Sequence, residues 1–401
     1  MPGSLSRNKK LLLRSSWQTV NIGDIAHTPG VLALLQANLP DVEVYLWPLD
    51  VGNGVRAMLQ KRFPDLRLIE DARSLRQAFD ACDFLLHGSG PFLVGEPDLN
   101  RWRSETGKPY GVLGITLPER RSSQTQDLGE AQMRQTVRTL NDAAFVYFRD
   151  SVSLGVAERL GCRCPVMAFG PDGAFACDVE DDKAALAFLR EHGLERGGFL
   201  CCIPRLRYTP GWEFVSKNAS FDPVKHERNQ AMRVHDHAPL LDAICRVVRE
   251  AGLKVLICPE DETQVQLGRD VLLEPLPADV RENVVWRDRF WLTDEALSVY
   301  RRSAGLFGNE MHSPIMCIGQ GVPAITCRWR EQTSKGLMWR DIGLSDWLFD
   351  LDQPADRREI ASSVLRIAQD PESAQAITRT ALQNVARYQT QTMSQLRALF
   401  S

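Results

Sequence analysis

Residues 303–325, SAGLFGNEMHSPIMCIGQGVPAI, constrain the fold more than any other stretch of the chain. Residues 304–308 are a short apolar run ending in Gly308, the pattern of a buried strand reaching its carboxyl end. His312-Ser313-Pro314 follows, with Pro314 suited to the first turn of a helix. Ile315, Met316 and Ile318 give that helix an apolar side, Gly321-Val322-Pro323 stops it, and Ala324-Ile325 opens the next strand. In open α/β sheets, ligands bind outside the carboxyl ends of the strands. His312 stands at such an end, with an imidazole able to act as acid or base near pH 7. A histidine there also serves purely structural purposes, so the position alone does not assign a role.

The same alternation runs along the chain. Strands are predicted at residues 10–14, 42–47, 84–87, 110–115, 144–148 and 166–169, and helices at 25–37, 54–63, 129–140 and 151–160. After a charge-rich stretch at 178–198, a second series begins. Its strands are at 199–203, 254–258, 284–286, 305–307 and 324–326, and its helices at 238–251, 261–272 and 294–303. Residues 357–399 read as mostly helical. The whole predicts an α/β chain of two doubly wound Rossmann-like domains facing a cleft, the glycosyltransferase-B-like architecture. The domains are expected at residues 1–180 and 195–350, with a helical tail at 355–401. A length of 401 residues suits two domains, each burying its own core.

Composition narrows the function classes. A hydrophobic share of 44% with 25% charged residues describes a soluble globular protein. The net charge of -3 offers no global field for nucleic acid or anionic lipid. Ten cysteines without paired C-x-x-C knuckles argue against a structural zinc site and for buried free thiols in a reducing cytosol. No run reaches the length that spans a bilayer, and the apolar stretch at 11–13 is too short for a signal-peptide core. The expected location is cytoplasmic.

Three motifs, in order, carry a family resemblance. Asn21-Ile22-Gly23-Asp24 follows the first strand, Phe148-Arg149-Asp150-Ser151-Val152-Ser153 ends a middle strand, and Glu310-Met311-His312 precedes the small-residue helix and Gly-x-Pro turn. Together they resemble the N-x-G-D, R-D-x-x-S and Arg-x-His signatures of the polysaccharide pyruvyl transferases, over about residues 11 to 330. The resemblance implies a pyruvyl group passed from phosphoenolpyruvate to two sugar hydroxyls as a ketal. Phosphoenolpyruvate is then a donor substrate, and no cofactor or metal is expected. The implied acceptor is a sugar or lipid-linked saccharide precursor of a cell-surface or exopolysaccharide. A lipid-linked acceptor would bring the enzyme into peripheral contact with the inner membrane surface. One departure stands out: the family's arginine two residues before the histidine is Glu310 here.

The chemistry needs a positioned acid, worth roughly 10²–10⁴ in rate, and cations to hold carboxylate and phosphate. His312 is the candidate acid. The resemblance implies that Arg149 grips the substrate anion, against the plainer reading of a surface cation paired with Asp150 or Glu158. Asn21, Gly23 and Asp24 form a strand-to-helix turn that offers backbone N–H groups to an anion, although Asp24 also suits a simple helix cap. Ser89, between Gly88 and Gly90, sits where the backbone can approach a ligand. Glu310 leaves three explanations open: other cations hold the donor, the donor differs, or Glu310 orients His312 and raises its pKa. Replacement cations are Arg205 and Arg207 after the 199–203 strand, and Arg330 and Lys335 after the 324–326 strand. Of these, Arg330 or Lys335 is expected to replace the missing arginine, with Glu310 facing His312. Glu260-Asp261-Glu262 reads as an acidic helix start, and His235 and His237 as a loop. A nucleotide-sugar glycosyltransferase, or a non-catalytic glycan-binding relative, would share the architecture.

Overall fold

The computed structural model describes residues 9–118, 129–214 and 219–400. Its framework is two wholly parallel sheets. The first contains β1 (Lys10–Ser15), β2 (Glu43–Pro48), β3 (Arg67–Leu68), β4 (Phe84–His87), β5 (Tyr110–Ile115), β6 (Val146–Phe148) and β7 (Met167–Phe169), in the order β3-β2-β1-β4-β5-β6-β7. The second contains β8 (Phe199–Ile203), β9 (Lys254–Ile257), β10 (Val284–Trp286), β11 (Gly305–Gly308), β12 (Ala324–Arg328) and β13 (Leu348–Asp350), in the order β10-β9-β8-β11-β12-β13. Apolar runs such as Leu11-Leu12-Leu13 and Phe199-Leu200 are buried on both faces, as strands sandwiched between helices must be. The strand order reverses between β1 and β4 in one sheet and between β8 and β11 in the other. Such switch points open a crevice at the carboxyl edge.

A short 3-10 turn, Gly173–Ala176, is wedged between the Ile22–Asn38 helix and the His312–Gly319 helix. A Cβ on Gly30 would come within 1.9 Å of the Gly173 carbonyl oxygen, and one on Gly319 within 2.0 Å of the Phe175 carbonyl oxygen. Only glycine lets the two helices close on the turn. One buried apolar core runs across both sheets, from Leu13 and Ile22 to Phe175, Ile315 and Leu306, and a second, with Leu12, Leu85, Trp102 and Val146, belongs to the first sheet alone.

Some elements differ from expectation. The helix predicted to begin at residue 238 spans Pro223–Arg246 and carries both His235 and His237. Asp222 caps it by accepting from the Lys225 amide, and the proline suited to a first turn is Pro223. Pro239 lies inside it. The Ala72–Ala81 and Glu96–Thr106 helices and the short edge strands β3 and β13 had no counterpart in the sequence reading. The C-terminal segment forms two helices, Pro354–Gln369 and Pro371–Ala398. The last returns to the first sheet, where Tyr388 packs edge-on against Phe169 and Arg397 donates to the Asn38 carbonyl. Among the described residues no helix is long and apolar enough to cross a membrane. All ten cysteines are unpaired.

The glycine wedge has a measurable signature. Gly319→Ala should lower the unfolding free energy by roughly 1–3 kcal/mol, because backbone, not a flexible side chain, occupies the space of the new methyl. Urea denaturation followed by circular dichroism measures it.

Candidate functional site

Strand ends from both sheets converge on a cleft of about 290 Å³. Each wall residue leaves the carboxyl end of a strand. The first sheet supplies Gln18, Asn21 and Asp24 after β1, Pro91 after β4 and Arg149 after β6. The second supplies Arg205 after β8, Glu260 and Asp261 after β9, Glu310 and His312 after β11, and Lys335 after β12. A larger groove of about 400 Å³ near Leu32, Leu39 and Phe63 is mainly apolar and gathers no such set of charges.

The first wall is shaped by Asn21. Its Oδ1 accepts from the amides of Gly23 and Asp24, which caps the Ile22–Asn38 helix. Asp24 is therefore not the cap; it lies in the first turn and faces the cleft, with Oδ1 3.6 Å from His312 Nε2. Gly23 is a packing requirement, since a Cβ there would fall 2.0 Å from the His312 Cβ. Backbone bonds close the seam: Ile22 N donates to the Glu260 carbonyl at 2.9 Å, and Thr293 Oγ1 donates to the Ile22 carbonyl at 2.8 Å.

His312 opens its helix and is nearly buried. Lys335 Nζ lies 3.1 Å from its Nε2, and Glu260 Oε1 lies 3.4 Å from its Nδ1. Glu260 Oε2 accepts from both the amide and the hydroxyl of Ser313, so this carboxylate also holds the helix start. Burial and the Lys335 ammonium keep the imidazole well below its ordinary pKa, so it is neutral in the free cleft. Burial, reinforced by Arg149, pulls Lys335 down to about 8.

Arg149 is buried and is not the surface cation of the plainer reading. It donates through Nε to Thr116 Oγ1 at 2.7 Å and through Nη1 to Asp172 Oδ2 at 2.8 Å. Asp172 also sits 3.3 Å from His27 Nε2. Burial works against its charge, but His27 and Arg149 outweigh it and hold the carboxyl well below the usual range. On the second wall, Glu310 Oε2 accepts from Arg205 Nη1 at 2.9 Å and Oε1 from Gln264 Nε2 at 2.7 Å. Burial pushes Asp261 up to about 7, with Glu310 adding to it. Burial pushes Glu310 to about 7 as well, with Arg205 opposing and Glu260 adding.

Asp24, His27 and His312 bring potential metal-ligand atoms within 4.8 Å of one another. The Lys335 ammonium already puts a positive charge against His312 and opposes a divalent ion there.

Residues 21–331 match the sequence profile of the polysaccharide pyruvyl transferases. The chain belongs to the polysaccharide pyruvyl transferase family. It is thus a member of a transferase family, built on a glycosyltransferase-B-like fold. No curated protein sequence matches it significantly. Among solved structures it is similar to Anabaena Alr3699/HepE in complex with UDP-glucose, at 9% identity over 97% of this chain and 99% of that one, with a TM-score of 0.57. It is also similar to S. aureus MnaA with UDP, at 9% identity over 92% and 90% of the two chains and a TM-score of 0.55. A third is the Burkholderia multivorans α,α-trehalose 6-phosphate synthase, at 10% identity over 98% and 97% and a TM-score of 0.54. At these identities the likeness is one of fold.

Against the family signatures, the cleft gathers His312, Arg149, Asn21, Asp24, Arg205, Glu310 and Lys335. Five expectations fail. The Gly23 and Asp24 amides are already held by Asn21 Oδ1 and the Ile22 amide by the Glu260 carbonyl, so the strand-to-helix turn does not offer them to an anion. Glu310 faces Arg205 and Gln264, and the carboxylates nearest His312 are Asp24 and Glu260. Arg207 lies beneath the surface, where Asp236, Glu331 and Asp352 surround its guanidinium. Ser89 is fully buried, its Oγ accepting from the Gly173 amide and its carbonyl from Trp17 Nε1. Arg330 is exposed beside a separate depression with Arg228 and Glu331. Lys335 alone of the two loop cations enters the cleft. Glu260, read as a helix-start carboxylate, proves to touch His312 as well. Asp172 and His27 were missed: Asp172 hides in a Gly-Pro-Asp turn, and His27 in an ordinary helical pattern.

The His312–Lys335 contact makes an expected outcome. Lys335→Met removes the charge that depresses the imidazole, so His312 should titrate at higher pH than in the parent protein. Proton–nitrogen NMR of the ring nitrogens across pH 4–9 reads it.

Proposed function

We propose that the protein transfers the pyruvyl group of phosphoenolpyruvate to two hydroxyls of a saccharide precursor of a cell-surface or exopolysaccharide, forming a ketal. The observation that carries this reading is His312, held between the Lys335 ammonium and carboxylates in a cleft also lined by Arg149. Membership of the pyruvyl transferase family supports it.

Neutral His312 accepts a hydrogen bond from Lys335, which is the proton source. A bound donor brings carboxylate and phosphate charge, which favours the imidazolium. The imidazolium protonates the methylene carbon of phosphoenolpyruvate, and the neighbouring carbon becomes an oxocarbenium. A sugar hydroxyl adds there, returning its proton to His312. A second hydroxyl displaces the phosphate, whose oxygen takes the remaining proton. Asp24 and Glu260 flank the imidazole and favour its cationic form during the first step. Arg149, fixed by Thr116 and Asp172, offers a preorganised guanidinium to the donor anion.

Phosphate release from phosphoenolpyruvate with a panel of saccharide acceptors is the direct test. His312→Gln should reduce turnover at least about 10²-fold with unchanged thermal unfolding. Release of a nucleoside diphosphate from a nucleotide sugar, without phosphate release from phosphoenolpyruvate, would move the protein to glycosyl transfer. Arg149→Lys should weaken donor binding despite keeping the charge, because one ammonium cannot serve both Thr116 and Asp172 in the guanidinium's geometry. Equal dissociation constants would reduce Arg149 to a structural cation. Lys335 loses its proton as pH rises through about 8, so kcat/KM for the donor should fall above that pH.

A further inference from the structure

The Arg205–Glu310 pair has a geometry that a merely structural ion pair does not need. Both Glu310 oxygens are engaged, one by Arg205 and one by Gln264, and its carbonyl accepts from Thr326 Oγ1 at 2.8 Å. Glu310 is held on every side. Arg205 is not: its Nη1 takes Glu310, while its Nε is buried with no hydrogen-bond partner. The residue is only 5% exposed and lines the cleft, and its backbone amide is anchored to His237 Nε2. A buried guanidinium N–H without a partner is costly unless a ligand completes it. The Nε and Nη2 hydrogens of arginine lie parallel on one edge, which fits two oxygens of a carboxylate or phosphate. With Nη1 committed to Glu310, that edge is the part left for a ligand.

We propose that Arg205 supplies a donor-anion contact of the cleft and that Glu310 acts through it as a positioning residue. The carboxylate at 310 then does not repel the donor; it aims the guanidinium that binds it. The proposal rests on the pyruvyl-transfer reading only for the identity of the anion. It also differs from the expectation that a cation after β12 alone makes good the missing arginine.

The test is calorimetric titration of phosphoenolpyruvate into the full-length protein and its variants, with inorganic phosphate and UDP titrated in parallel. Arg205→Lys keeps a cation opposite Glu310, so the fold should hold, and a thermal melt checks it. It should bind phosphoenolpyruvate about tenfold more weakly, because the edge is lost. Glu310→Gln should weaken binding roughly three- to tenfold, although it removes a negative charge from the cleft. In an Arg205→Met background the same change should have no effect or tighten binding. That reversal marks a residue acting through Arg205. Parental affinity in Arg205→Lys, or tighter binding from Glu310→Gln in both backgrounds, would overturn the proposal. If the parent protein binds UDP or phosphate but not phosphoenolpyruvate, the donor reading fails, and the same variants read with that anion still decide Arg205. A parent that binds none of the three overturns both.

Discussion

The site depends on how closely two helix starts approach each other. The Ile22–Asn38 helix belongs to one sheet and the His312–Gly319 helix to the other, yet Gly23 lies against the His312 side chain with no room for a methyl. Around that contact the backbone of Ile22 bonds to Glu260, and Thr293 reaches back to Ile22. The Gly173–Ala176 turn fills the space behind. Carboxyl ends of strands from both sheets therefore face one small volume at fixed spacing. A shift of one helix turn would separate His312 from Asp24 and dissolve the arrangement.

Charge in the cleft is organised by pairing and not by an excess of one sign. Arg149, Arg205 and Lys335 face Asp24, Glu260, Asp261 and Glu310 across the same volume. Arg149 pairs with Asp172 and Arg205 with Glu310, while Lys335 hydrogen-bonds the neutral His312 and draws its charge support from Asp24 and Glu310. A low-dielectric pocket makes unpaired charges costly, so pairing is the condition under which so many ionisable groups can be buried together. An arriving anion then competes for preoriented donors and is not simply drawn to a positive field.

Much of this was legible in the sequence, for identifiable reasons. An apolar run ending in a small residue marks a strand end, and parallel sheets put chemistry at those ends, so His312 could be singled out; the motifs shared with the pyruvyl transferases brought in Arg149 and Asn21. Partners far apart in sequence could not. Arg205 and Glu310 are 105 positions apart, and nothing local announces that they meet. Arg207 looked equivalent to Arg205, but its fate is set by Asp236. That residue lies on a helix whose start the sequence reading put at 238, two residues too late to include it. Arg330 and Lys335 share a loop, and only the 3-10 turn at Ser334–Leu337 sends the lysine inward. Asp24 illustrates a different ambiguity. Asp and Asn cap helices equally well, and here the asparagine three residues earlier takes the cap and leaves the aspartate for the cleft.

The returning Pro371–Ala398 helix has a consequence for how the chain comes into being. During synthesis both sheets leave the ribosome before this helix does, yet the helix reaches Asn38 and Phe169, and Phe400 just after it reaches Phe84, all on elements made far earlier. Until it emerges, apolar surface beside the first sheet stays wet, and a nascent chain in that condition is open to association with other chains. The first half to be made is thus among the last to be sheltered. Its glycine-tight junction with the second half must form early enough to protect it in the interval.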